Sequence, residues 1–227
     1  MSKIDLSNWN HLCWPDTNIT FNLEELKDLY FSSFSKYKKF SQEFKSESRY
    51  GGIGFQGLDD ADYTTGPKQG IMFLDTTDNS VKPIGVENLG RHLEKLLPIS
   101  VRHKELCTGE LGRILDYLED LGYHTYRGRI MECGPTHRGG WHIDSYPGRW
   151  GNNLRYHIPL VTNEECYIVW NEGPKKWYEL SPKNDNDLYF HLPADGRGYW
   201  FNTDISHKNI NDGDTWRYHI VIDLFKK

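Results

Sequence analysis

From Tyr123 to the end, the chain is a succession of short runs rich in aromatic and β-branched residues. They are HTYRGRIMEC, NLRYHIPLVT, ECYIVWNE, KWYEL, GYWFN and RYHIVIDLF, each bounded by turn residues. Runs of this kind read as strands. Before Tyr123 the period differs. FNLEELKDLYFSSFSKYKKFSQEFK (21–45) spaces Leu23, Leu26, Leu29, Tyr30, Phe34 and Tyr37 helically, with Asn22 as a cap. VENLGRHLEKLLP (86–98) and LCTGELGRILDYLEDLG (106–122) predict two further helices, stopped by Pro98 and Gly122. The stretch 46–70, rich in Gly, Asp and Ser, reads as a loop. Helices first and strands second imply a mainly β fold of the α+β class, with N-terminal helices packed on one side of a sheet. No linker divides the chain. A single domain over 1–227 is expected, mostly helix and loop over 1–122 and a strand core over 123–227.

Composition narrows the function classes. Aromatics make up 14%, with eight Trp and fourteen Tyr, which suits β structure. The net charge is −5 without a basic block, so a nucleic-acid partner is not expected. MSKIDLSNWN lacks an apolar signal core, and no stretch reaches the ~20 apolar residues of a membrane span. Cys13, Cys107, Cys133 and Cys166 form no C-x-x-C pair and read as reduced thiols. A cytoplasmic protein without a membrane association is the expectation.

The chemistry-bearing stretch is GGWHIDSYPG, which sets His142 two residues before Asp144. A His-x-Asp triplet arises about once by chance in such a composition. Its setting is what matters. His103-Lys104-Glu105 has the same spacing at the mouth of a predicted helix, where the two side chains diverge. On a strand, side chains two apart share a face, so His142 and Asp144 can converge on one ion. A third ligand is needed, and TDISHKNINDGDTWRYHIVID offers His207. Two His and a carboxylate form the facial triad of non-haem Fe(II) oxygenases, which leaves positions open for a co-substrate and oxygen. Arg217 follows ten residues later, at the head of the last strand, where a guanidinium can hold a distal carboxylate. It shares a face with His219, Val221 and Asp223, while Tyr218, Ile220, Ile222 and Leu224 form an apolar face. In NLRYHIPLVT, Arg155 and His157 share a face that can point into the same cavity; a hydrogen-bonded core histidine is the alternative for His157.

The segments RIMECGPTHRGGWHID, LRYHIPL and HKNINDGDTWRYHIVID resemble the aspartyl/asparaginyl/prolyl β-hydroxylase group of Fe(II)- and 2-oxoglutarate-dependent dioxygenases, over roughly residues 123–227. The resemblance implies a double-stranded β-helix, a cupin-like jelly roll with the metal at its open end. It implies Fe(II) on His142, Asp144 and His207, with O2 and 2-oxoglutarate as co-substrates. It further implies Arg217 on the 5-carboxylate of 2-oxoglutarate and His157 on its 1-carboxylate. Some members carry Gly in the carboxylate position; this chain has Asp144, as the free-proline hydroxylases do. The expected reaction is hydroxylation of an unactivated C–H. A free proline-like or acidic amino acid is favoured over a prolyl, aspartyl or asparaginyl side chain in a protein, and the N-terminal half is expected to shape the substrate site. Arg138, Arg155, Trp141 and Trp150 flank the motif as candidate substrate contacts; solvated surface arginines are the more frequent case for the first two, and core packing is the alternative for the two Trp.

Gly52-x-Gly54-x-x-Gly57 matches a dinucleotide fingerprint, but no hydrophobic strand precedes it and no helix pattern follows, so it reads as a loop, with a lid as one role for it. Two rivals to the hydroxylase reading stay open: a cupin-like metal enzyme that does not use 2-oxoglutarate, and a non-catalytic jelly-roll module that binds a carboxylate ligand.

Overall fold

Strict alternation along RYHIVIDLF governs the architecture. In the computed structural model, Ile220, Ile222 and Leu224 lie buried in one apolar cluster, while Arg217, His219, Val221 and Asp223 are buried on the opposite face. The structure describes residues 12–34, 40–41, 50–57, 72–75, 81–83, 96–144, 154–171, 187–203 and 205–226.

The N-terminal half contributes β1 (Cys13–Pro15), α1 (Leu23–Phe34), β2 (Phe40–Ser41), β3 (Tyr50–Gly54), β4 (Gln56–Gly57), β5 (Met72–Asp75), β6 (Val81–Pro83), β7 (Leu96–Ile99), β8 (Val101–Arg102) and α2 (Gly109–Asp120). Eight strands follow: β9 (Tyr123–Cys133), β10 (His137–Arg138), β11 (Leu154–Val161), β12 (Cys166–Trp170), β13 (Leu188–Phe190), β14 (Tyr199–Asn202), β15 (His207–Asn211) and β16 (Arg217–Lys226). They divide between two antiparallel sheets. The larger runs β1-β14-β11-β16-β9-β3-β2 and the smaller β10-β15-β12-β13. From β9 onward the chain crosses repeatedly between the sheets, so the first, third, sixth and eighth of these strands form the core of one and the rest form the other.

Both helices contribute to one cluster with the large sheet. Leu111, Ile114, Leu115 and Leu118 of α2, at helical i, i+3, i+4, i+7 spacing, are fully buried with Ile130, Tyr156, Ile158, Leu160, Ile220, Ile222 and Leu224. Leu26 and Tyr30 of α1 join them. The helices thus cover one face of the sheet, as expected, and the polar face of β16 is turned to the interior between the sheets. Among the described residues no helix is long and apolar enough to cross a membrane. All four cysteines carry free thiols.

Three expectations need correction. The first helix ends at Phe34, and Phe40–Ser41 pairs as a strand with β3 instead of continuing it. The helix expected over 86–98 is extended where it is described, because Leu96–Ile99 pairs with β5. Pro98 disfavours helical torsions at Leu97 and is tolerated on this edge strand; the rest of that helix lies outside the described residues. The stretch read as a loop over 46–70 contains Tyr50–Gly54, which pairs with β9 and buries Ile53. Partners distant in sequence have overridden its loop-like composition. The remainder of that stretch, and the strand expected at KWYEL, lie outside the described residues.

Candidate metal centre

His142 and His207 face each other in an isolated antiparallel bridge. Each donates its backbone N–H to the other's carbonyl, at 3.0 and 2.9 Å. The rings lie 4.5 Å apart between centroids. His142 Nδ1 is 2.9 Å from Gly140 O, and His207 Nδ1 is 2.8 Å from Ile205 O. A carbonyl can only accept, so each Nδ1 carries the proton and each Nε2 keeps its lone pair. Asp144 completes the group. Its Oδ1 is 3.6 Å from His142 Nε2, and its Oδ2 is 3.3 Å from His207 Nε2. One ligand atom from each of the three residues lies within 4.8 Å of the others, so the set can hold a metal ion.

The electrostatics favour the ligating forms. Burial, then the neighbouring His207, pulls the His142 imidazole below its usual range. Burial alone would raise the Asp144 carboxyl, but the Arg155 guanidinium and the neighbouring His207 outweigh it and hold Asp144 well below the carboxylate range. His142 is therefore held neutral beside an ionised Asp144.

A continuous set of rings leads inward from the triad. Phe201 meets His207 edge-on at 4.9 Å, His157 lies 5.1 Å from Phe201, and His219 lies 5.9 Å from His157. Arg217 packs against His219, with Nε and Nη2 at 3.0 and 2.9 Å from its two ring nitrogens. Arg217 is buried, and Asn209 Oδ1 is 3.5 Å from its Nη1. Among the described residues no carboxylate pairs with it. Both ring nitrogens of the buried His157 lack a hydrogen-bond partner among the described residues. Burial and the surrounding arginines hold His157 well below the usual range, and burial and Arg217 do the same for His219. Burial and Arg217 also lower His137, which comes close to the same cation.

Of the flanking candidates among the described residues, only Arg155 meets the triad, with Nη1 2.6 Å from Asp144 Oδ2. Arg138 forms a two-pronged exposed pair with Asp212 at 2.8 and 2.7 Å. Trp141 is fully buried with Val169 and Ile210, with the Lys208 ammonium 4.3 Å from its ring centre. Neither is gathered with the triad, because Trp141 adjoins His142 on an extended chain and alternation turns it to the other face. Trp150 lies outside the described residues. No local sequence signal singles out Arg127 and Arg129, which join Arg155 around the buried Asp223. Asp223 could be placed on the polar face of β16, but its partners depend on strand register.

No family model matches the sequence, and no curated protein matches it. Among solved structures, a non-heme alpha ketoglutarate dependent carbocyclase from nogalamycin biosynthesis, SnoK, aligns over 100% of this chain and 84% of its own, with TM-score 0.54 and 12% identity. The chain folds as a double-stranded β-helix. A 2OG-Fe(II) oxygenase family oxidoreductase from Burkholderia pseudomallei aligns over 90% of this chain and 78% of its own, at TM-score 0.46 and 12% identity. At these identities the likeness is one of fold. In the double-stranded β-helix of this chain, the triad joins the small sheet to the segment that follows β10, and Arg217 stands on the large sheet.

Proposed function

We propose that this protein is an Fe(II)- and 2-oxoglutarate-dependent dioxygenase that hydroxylates an unactivated C–H of a carboxylate-bearing substrate, a free proline-like or acidic amino acid in preference to a protein side chain. The observation that carries the reading is the pairing of an open two-His, one-carboxylate set with a buried guanidinium that has no carboxylate partner among the described residues. A buried cation without a counter-ion is costly, and a dicarboxylate co-substrate supplies the missing charge.

The donor set fits the metal. Two imidazoles with Nδ1 pinned to carbonyls and one carboxylate suit a non-haem Fe(II) site with open positions. When bound, the iron supplies the oxidising chemistry, coupled to decarboxylation of 2-oxoglutarate to succinate and CO2. The chain's residues do the rest. Arg217 receives the distal carboxylate of 2-oxoglutarate in a charge-assisted pair. His157, neutral and without a polar partner among the described residues, offers an N–H to the near carboxylate. Phe201 is buried between His157 and His207, and Val221, on the same face of β16 as Arg217, is buried against Met131.

The test is succinate formation with Fe(II), 2-oxoglutarate and O2, run against a panel of free amino acids and prolyl, aspartyl and asparaginyl peptides. Succinate should form and rise with one class of substrate, and His142→Ala or Asp144→Ala should abolish it in folded protein. Full turnover in either variant, or metal binding without O2-dependent succinate, would remove the proposal.

A further inference from the structure

Asp144 is the ligand least fixed by the backbone. It lies beyond the His142–His207 bridge, and its own N–H reaches Thr203 O only at 3.3 Å. Its carboxylate is secured from the other sheet. Arg155 is 8% exposed and acts as a fork, with Nη1 2.6 Å from Asp144 Oδ2 and Nε 2.6 Å from Asp223 Oδ1. Asp223 sits opposite Arg155 in the β11–β16 register. Its second oxygen accepts from Arg127 Nε at 2.6 Å and Arg129 Nη1 at 3.0 Å.

This arrangement is built at some cost. Arg127 has φ 46°, in the left-handed region that non-glycine residues seldom occupy. It lies where the β9–β16 register shifts between Val221 and Asp223, and bulges of this kind re-aim side chains. Burying several guanidiniums and two carboxylates carries a desolvation penalty that an apolar cluster would avoid, so stability alone does not account for the network. Its end point is one oxygen of the third metal ligand.

We infer that Arg155, anchored by the Asp223–Arg127–Arg129 cluster, is a positioning residue that fixes Asp144 as a single-oxygen ligand. The inference rests on the metal-site reading above. Arg155 holds Oδ2 at 2.6 Å, with that oxygen 3.3 Å from His207 Nε2 and Oδ1 3.6 Å from His142 Nε2, so an ion shared with the imidazoles competes with the guanidinium at Oδ2 and not at Oδ1. A carboxylate that takes one coordination position instead of two preserves the open positions the proposed reaction needs.

Co(II) is the probe, because its visible absorption reports coordination number and its affinity can be titrated without turnover. Arg155→Lys replaces the planar fork by a single nitrogen that cannot stand at the Nε and Nη1 positions at once. It should lower Co(II) affinity roughly 10–100-fold and change the visible spectrum. Arg127→Gln, a milder change at the partly exposed end of the network, should weaken binding in the same direction by less. It also keeps the test open if Arg155→Lys does not fold. His142→Ala should lose Co(II) altogether. Wild-type affinity and spectrum in folded Arg155→Lys, beside loss of binding in His142→Ala, would overturn the positioning role and leave the metal site standing. The same wild-type behaviour in Arg127→Gln, if only that variant folds, would also overturn it. Failure of the wild-type protein to bind Co(II) would instead overturn the metal reading on which the inference depends.

Discussion

Arg217 joins burial, charge and position in a single side chain. Its charge is buried, its described contacts are a neutral imidazole, an amide oxygen and the Cys133 thiol, and it lies at the inner end of a line of rings that begins at the metal ligands. Arg217→Ala should therefore raise the KM for 2-oxoglutarate at least about tenfold while leaving Co(II) affinity within twofold; an unchanged KM would take Arg217 out of this role. His142, Asp144 and His207 were legible in the sequence because residues two apart on an extended chain share a face and a third ligand follows in order along the chain. Arg127 and Arg129 were not, since their grouping with Arg155 on Asp223 depends on how β9 and β11 register against β16. Trp141 could have been excluded by parity with His142. Arg138 could not, because Gly139 and Gly140 interrupt the alternation between β10 and the metal ligand.

At the scale of elements, the two helices cap each other. Glu110 of α2 accepts the N–H of Asn22, just before α1, at 2.5 Å, and Glu25 of α1 accepts the N–H of Glu110 at 2.7 Å. Asn22 also caps α1 as the sequence suggested, its Oδ1 accepting from Glu25 N at 3.3 Å. The reciprocal glutamates had no local signal, because each serves a helix more than eighty residues away. Arg113 hydrogen bonds hold the Glu110 carboxyl below its ordinary range, so its stabilising contribution is full above that range and fades as the pH falls through the lowered value. Glu110→Gln should cost about 1 kcal/mol at pH 7, since Arg113 is half exposed and screened. The difference from wild type, measured by urea denaturation, should shrink in acid; a gap that widened in acid would contradict this assignment. Gly122, expected as a helix stop, has φ 87° and donates to Glu119 O. By contrast β1 and β3 were hidden, because each is stabilised only as an added strand at the margin of a sheet whose core is encoded later in the chain.

For the whole molecule, the division of labour between the two sheets is the main result. The large sheet presents an apolar face to the helices and a charged face to the interior, while the small sheet brings His207 against His142. An ion held there binds the folded chain and not the unfolded one. At a hundredfold excess over Kd it should add about 2.7 kcal/mol of stability, and each kcal/mol should raise Tm by roughly 2–4 °C for a chain of this size. A chelator should reverse the rise, and His207→Ala should never show it; an equal shift in that variant would place the ion elsewhere. The bridge between residues 142 and 207 has one more consequence. Because the peptide groups themselves set the gap between the two imidazoles, like the jaws of a calliper locked before use, the ion finds a seat already spaced for it, and only the aspartate has to be brought to meet it.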